Sequence, residues 1–171
     1  MARTTLKLDK EKTAEVVQNL LVSHPKLWDL DFPYRYTVET IIKKGGKTID
    51  KYLTPFGIRS VKFDKDKGFF LNNKHLKLKG MCLHQDAGCL GTAVPDRAYE
   101  RRLLILKEFG TNAIRCSHNP PSPEFLNYCD SIGFLVIDEA FDKWKSGYYE
   151  EFFDSSWQQD ISDMVIRDRN H

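Results

Sequence analysis

Three short stretches carry side chains able to bind polar ligands or move protons: His84-Gln85-Asp86, Arg115-Cys116-Ser117-His118-Asn119, and Asp138-Glu139. Each closes a run that is otherwise apolar. In parallel α/β architectures the reactive groups collect at the C-terminal ends of strands and in the loops that follow. Three polar ends in succession therefore predict one hydrogen-bonding rim built from imidazole, guanidinium, amide and carboxylate groups. A purely structural arrangement of the same residues also exists. Arg115 and Asp138 would then form a buried ion pair, and His118, ahead of Asn119-Pro120-Pro121, would order its loop. Neighbouring residues on a strand point to opposite faces, so Asp138 and Glu139 cannot act together on one bond.

Two further patterns bear on chemistry. The stretch from Phe141 to Phe153 holds Trp144, Tyr148, Tyr149, Phe152 and Phe153. Aromatic faces of this kind bind the apolar faces of sugars through burial and weak C–H contacts. The structural alternative packs these rings against the body, above all Phe152 and Phe153. Four cysteines are present, and two stand two residues before a histidine, Cys82 with His84 and Cys116 with His118. On adjacent strands these pairs could offer zinc a Cys2His2 set. The plainer reading makes them small core residues. No Cys-x-x-Cys pair occurs, and a chain of this size and apolar content needs no disulfide framework.

The elements that must position these groups follow from periodicity. The first sixty residues read as all-β. Tyr34, Tyr36, Val38 and Ile42 alternate with Arg35, Thr37, Glu39 and Lys43, and Gly45-Gly46 turns the chain into a return strand over 48–53. Residues 16–22 read as another strand. A second hairpin runs from Gly68 to Leu71, turns at Asn72-Asn73 and returns over 75–78. From residue 78 the pattern alternates strand and helix. A strand over 78–83 precedes a helix opened by Pro95-Asp96 and stopped by Gly110. A strand over 111–116 precedes a helix capped by Ser122-Pro123 and ended by Gly133. A continuous apolar strand, 134–138, precedes a helix capped by Ser155 or Ser156 that carries Trp157, Ile161, Met164 and Val165.

Composition narrows the function. The chain has 171 residues, 41% hydrophobic and 12% aromatic, which suffices for a folded core. Its 26 basic and 24 acidic side chains leave a net charge of +2. That balance argues against nucleic acid as a partner, and acidic and aromatic residues interrupt the lysines between Lys62 and Lys79. No apolar run approaches the roughly 20 residues of a membrane span, and the first residues lack the apolar core of an export signal. The compartment of the protein is left open.

The residues as a set resemble glycoside hydrolase family 2, the β-galactosidase and β-glucuronidase group. The resemblance is carried by Gly57-Ile58-Arg59-Ser60-Val61-Lys62-Phe63, Gly68-Phe69-Phe70-Leu71-Asn72, Leu78-Lys79-Gly80 and His84. It continues through Gly110 to Pro121, through Asp130 to Ala140, and into Arg167-Asp168-Arg169-Asn170-His171. Pro25-Lys26-Leu27-Trp28 and Pro33-Tyr34 are similar to the family's immunoglobulin-like sandwich just ahead of its barrel. The resemblance implies an α/β chain with an all-β part. Residues 1–62 would be part of an Ig-like β-sandwich, and residues 63–171 the first three βα units of a (β/α)8 TIM barrel.

The implied activity is that of a retaining β-glycosidase, β-galactosidase-like, acting on a β-linked sugar or oligosaccharide. The implied substrate-binding residues are His84, Arg115, His118, Asn119, Asp138 and Glu139, with Trp144 added from the aromatic stretch. Retaining enzymes need two carboxyl groups about 5–5.5 Å apart. The family's acid/base glutamate follows the Arg-Asn-His motif, and its nucleophile lies farther on, so neither falls among these residues. The chain is accordingly expected to be a fragment, inactive alone, since a barrel takes about 250 residues. Many β-galactosidases hold magnesium just after Asp-Glu-Ala, but here Lys143 and Lys145 stand in that stretch, so neither metal nor cofactor is expected. Open strand edges predict self-association. A non-catalytic carbohydrate-binding protein and a zinc-stabilised fold are the alternatives.

Overall fold

The computed structural model describes residues 1–171. Strands β1 (Tyr36–Lys44) and β2 (Lys47–Phe56) form a long antiparallel ribbon, in register from Tyr36↔Phe56 to Lys44↔Lys47 with an irregularity at Ile42/Lys43. Gly45 and Gly46 make the turn at φ +57° and +82°, a conformation glycine adopts without a Cβ penalty. Residues 16–22 form no strand, contrary to expectation; Val17 and Leu21 are 79% and 92% exposed. No neighbouring segment offers this run backbone partners, so its apolar side chains have nothing to bury against.

A three-stranded antiparallel sheet follows, with β3 (Val61–Asp64), β4 (Gly68–Leu71) and β5 (Lys74–His75). Asn72 and Asn73 take the expected left-handed turn, at φ 50° and 64°. The return strand is shorter than the sequence pattern suggests and stops at His75.

The remainder alternates: β6 (Gly80–His84), α1 (Asp96–Glu108), β7 (Ala113–Ser117), α2 (Pro123–Ile132), β8 (Leu135–Ile137) and α3 (Phe153–Asp168). The three strands are parallel, in the order β6-β7-β8. Pro95 precedes α1 without a side-chain cap, and Asp96 lies in its first turn. Helix α2 starts where Ser122 Oγ accepts from the Phe125 amide at 3.2 Å, with Pro123 at its first position. Helix α3 begins at Phe153, earlier than Ser155 or Ser156 would have capped it. Both hydroxyls instead donate back to the Phe152 carbonyl, at 2.9 and 3.0 Å, as serines inside a helix commonly do.

The main core lies between the parallel sheet and α1 and α2. Leu103, Ile114, Cys116, Phe125, Leu126, Cys129 and Phe134 are all buried there. A second, smaller core of Trp28, Leu30 and Leu71 joins the antiparallel part to this layer. The junction is specific. The Trp28 indole donates to the Asp130 carbonyl at 2.7 Å, and the Arg59 guanidinium lies over its ring at 4.7 Å. Lys107 Nζ donates to the Leu30 and Gly133 carbonyls, each at 2.7 Å. Gly133 ends α2 at φ +88°, and a β-carbon there would stand 2.2 Å from the Leu30 oxygen. No helix is long and apolar enough to cross a membrane.

Candidate functional site

Parallel register decides which side chains share the rim. Cys82 pairs with Arg115 and Leu83 with Cys116, while Arg115 pairs in turn with Ile137. Ile114 and Cys116 point into the core against α1 and α2, so Arg115 must leave the sheet on its other face. Glu139, two residues beyond Ile137, projects to that same face. Its Oε1 accepts from Arg115 Nε, and its Oε2 lies 2.9 Å from His118 Nδ1. Arg115 Nη2 is 3.5 Å from the same Nδ1, but a nitrogen that donates to Glu139 cannot also accept from the guanidinium. The Glu139 contact is therefore the real one, and it leaves His118 Nε2 free. Arg115 Nη1 approaches Cys82 Sγ at 3.8 Å, and the His84 ring meets His118 edge-on at 5.3 Å.

The rim thus assembles His84, Arg115, His118 and Glu139 from three strand ends. The hydrogen bond from His118, followed by Arg115, holds the Glu139 carboxyl below the usual glutamate range; partial burial works in the opposite direction. Glu139 in turn raises the pKa of Arg115. Asn119 is drawn toward the aromatic stretch, where its amide donates to the Tyr149 hydroxyl at 3.1 Å. Trp144 belongs to a ladder of rings. It stacks on Phe153 (6.3 Å, 8° between planes), and Phe153 stacks on Trp157 (6.2 Å, 14°). Phe153 therefore packs the loop, whereas Phe152 is exposed and Trp144 is 69% exposed.

Two expectations need correction. Arg115 does not pair with Asp138; its partner is Glu139, because strand alternation sends the adjacent Asp138 to the opposite face. Asp138 consequently does not line the rim. Its side chain faces a small cavity of about 100 Å3 shared with Arg59, Asp130, Asp168 and His171. The two Cys-x-His pairs do not converge either, since Cys116 is buried in the core while Cys82 is exposed on the other face. No group of three or more metal-ligating side chains forms anywhere in the chain. In the stretch after Ala140, Lys143 pairs with Asp142 and Lys145 with Asp154, and ammonium groups so placed do not fit a divalent cation. The place of Cys82 beside Arg115 has no assignment from sequence, although its shared strand face with His84 was the signal for it.

A larger cavity, about 390 Å3, lies elsewhere. Gly110, Thr111, Asn112 and Lys79 line it, and these residues precede β7 and β6. It therefore sits at the N-terminal ends of the strands, away from the rim.

Comparison with known proteins bears directly on this arrangement. Residues 61–171 match the model described as glycosyl hydrolases family 2, TIM barrel domain, and residues 2–59 match that of glycosyl hydrolases family 2. The chain is 48% identical over its whole length to "Beta-galactosidase BoGH2A" of Bacteroides ovatus, of which it covers 21%. It is 33% identical to a "Beta-glucuronidase" of Bacteroides fragilis, over 89% of this chain and 23% of that protein. Among solved structures, a family 2 member from Bacteroides cellulosilyticus superposes with a TM-score of 0.79 at 49% identity, over 86% of this chain and 20% of that one. A β-glycosidase from Bacteroides vulgatus gives 0.80 at 44% identity, with the same coverage. The chain spans about a fifth of the length of these relatives.

Proposed function

The chain belongs to glycoside hydrolase family 2, and from that membership we propose that it forms one wall of the sugar-binding cleft of a retaining β-glycosidase. The observation that carries this reading is the convergence of Arg115, His118 and Glu139, with His84 beside them, at the C-terminal ends of three adjacent parallel strands. In this reading β6–α3 are the first three units of a (β/α)8 barrel, the β1–β2 ribbon is part of an Ig-like sandwich, and the two meet near residues 62 and 63.

Within the cleft, His84, Arg115, His118, Asn119 and Glu139 hydrogen-bond the hydroxyls of a β-linked sugar, β-galactosidase-like in class, while Trp144 offers an apolar face to one of its rings. His118 contributes the Nε2 that Glu139 leaves free, and Glu139 fixes the imidazole orientation. Glu139 itself makes a poor general acid. Two donors hold it ionised, whereas the acid of a retaining pair needs a raised pKa. The acid/base and nucleophile carboxylates are therefore assigned to parts of the enzyme outside these residues. The test compares the 171-residue chain with a version extended through the remaining strands, using aryl β-glycosides. Hydrolysis is expected from the extended protein alone; comparable turnover by the 171-residue chain would overturn the assignment.

A second reading is favoured by the exposed Trp144 and Tyr148, 69% and 98% accessible. These rings suit non-catalytic binding of carbohydrate. Calorimetric titration of the chain with oligosaccharides, alongside His118→Ala and Trp144→Ala, distinguishes it, because heat lost in both variants assigns binding to the rim and the loop.

A further inference from the structure

Behind the rim, on the helix side of β8, a second cluster of ionisable groups takes no part in the chemistry proposed above. Both carboxylate oxygens of Asp138 are shut off from solvent, and no donor of good geometry reaches either. Across from them stands Asp168, at the C-terminal end of α3. Arg167 grips the Asp168 carboxylate with two nitrogens, Nε and Nη2, each at 2.6 Å. The same Nη2 also donates to the Pro121 carbonyl at 2.7 Å. Pro121 belongs to the loop that carries His118 and Asn119. The carboxyl groups of Asp138 and Asp168 thus face the same small cavity, and one guanidinium ties the end of α3 to the β7–α2 loop.

A buried carboxylate without donors is strongly disfavoured, and a second carboxylate beside it adds to the penalty. The single positive charge of Arg167 is already committed to Asp168 and Pro121. From β7, Cys116 offers only a buried thiol, itself pushed up to about 12 by burial. On the α2 side Asp130 is engaged by His171, whose Nδ1 lies 2.7 Å from its Oδ2, and Arg59 donates to the His171 carbonyl. No cationic group donates to Asp138. The remaining way to satisfy its oxygens is a proton.

We propose that Asp138 and Asp168 share one proton, donated by Asp138 to the Asp168 carboxylate, and that this proton is a pH-sensitive latch holding the end of α3 to β8 and to the β7–α2 loop. The pair then carries one negative charge, matched by Arg167. Burial first and Asp168 second push the Asp138 carboxyl up to about 6, against the Glu139 backbone amide and the charge of Arg167. A carboxyl whose pKa is higher in the fold than in the open chain adds stability that is complete below pH about 4 and lost as the pH rises through 6. The latch is closed in mild acid and loosens as the pH rises through about 6, when both carboxylates are ionised.

Carbon-detected NMR titration of the carboxyl groups in the full chain tests this. The Asp138 carboxyl carbon is expected to titrate near pH 6, and the Asn119 and Ser122 amides to shift with the same midpoint. In Asp168→Asn the new amide donates to Asp138 and brings its midpoint down toward 4. In Asp138→Asn the amide shifts at Asn119 and Ser122 disappear. An Asp138 midpoint near 4 in the unaltered protein overturns the proposal. So does a midpoint that Asp168→Asn leaves in place, or loop amides that do not respond. Should neither variant fold, the titration of the unaltered protein decides the matter.

Discussion

Single residues at the rim are legible by chemistry, and their partners by geometry. His118 is the largest influence keeping the Glu139 carboxyl low, with Arg115 next. Replacing His118 with Phe should therefore raise the Glu139 midpoint toward the ordinary glutamate value of about 4.3; a carboxyl-carbon titration that finds it unmoved removes His118 as the cause. The sign follows from the lowered pKa. The His118–Glu139–Arg115 contacts stabilise the rim above the unfolded glutamate value and are lost as the pH falls through the folded one. Arg115→Lys should loosen the same cluster, because an ammonium replaces a planar fork that touches Glu139 and Cys82 at once. Increased mobility of Glu139 in relaxation measurements is the expected sign. At this scale the alternation of side chains on β8 was readable, and it correctly kept Asp138 and Glu139 apart. Which of the two meets Arg115 was not readable, because that depends on the register between strands far apart in sequence.

Elements were legible where a local rule acts alone. Ser122-Pro123 opens α2 and Gly133 closes it, both as sequence demands. Ser122→Ala should cost about 1 kcal/mol through the lost cap. Gly133→Ala should cost at least about 2 kcal/mol, since it combines a left-handed backbone with a β-carbon driven into the Leu30 carbonyl. Urea denaturation of both variants checks the order; a milder effect at Gly133 than at Ser122 would show that the Leu30 loop yields. The asparagine turn before β5 was equally plain. Residues 16–22 and the start of α3 were not. The first has the apolar content of a strand but no partner within the chain, and pairing cannot be seen in one segment. The second has two serines in good capping positions, yet the helix already begins at the aromatic Phe153, whose ring stacks between Trp144 and Trp157.

At the scale of the whole molecule, the parallel sheet has two free edges, β6 and β8, with unpaired backbone groups along each. Such edges recruit further strands. The chain alone should accordingly self-associate as its concentration rises, and Ile137→Lys, at a half-exposed position on β8, should shift sedimentation toward the monomer. An unchanged distribution would rule out β8 as the contact. The antiparallel part is held to the α/β layer chiefly through Trp28, which is 2% exposed and stacked beneath Arg59, while Trp144 and Trp157 are 69% and 36% exposed. The three indoles therefore differ in their access to solvent. Iodide should quench the emission of Trp144 and Trp157 and spare a blue-shifted component from Trp28. Loss of that protected component during unfolding marks the separation of the two halves, so the chain carries its own optical gauge of whether its parts remain joined.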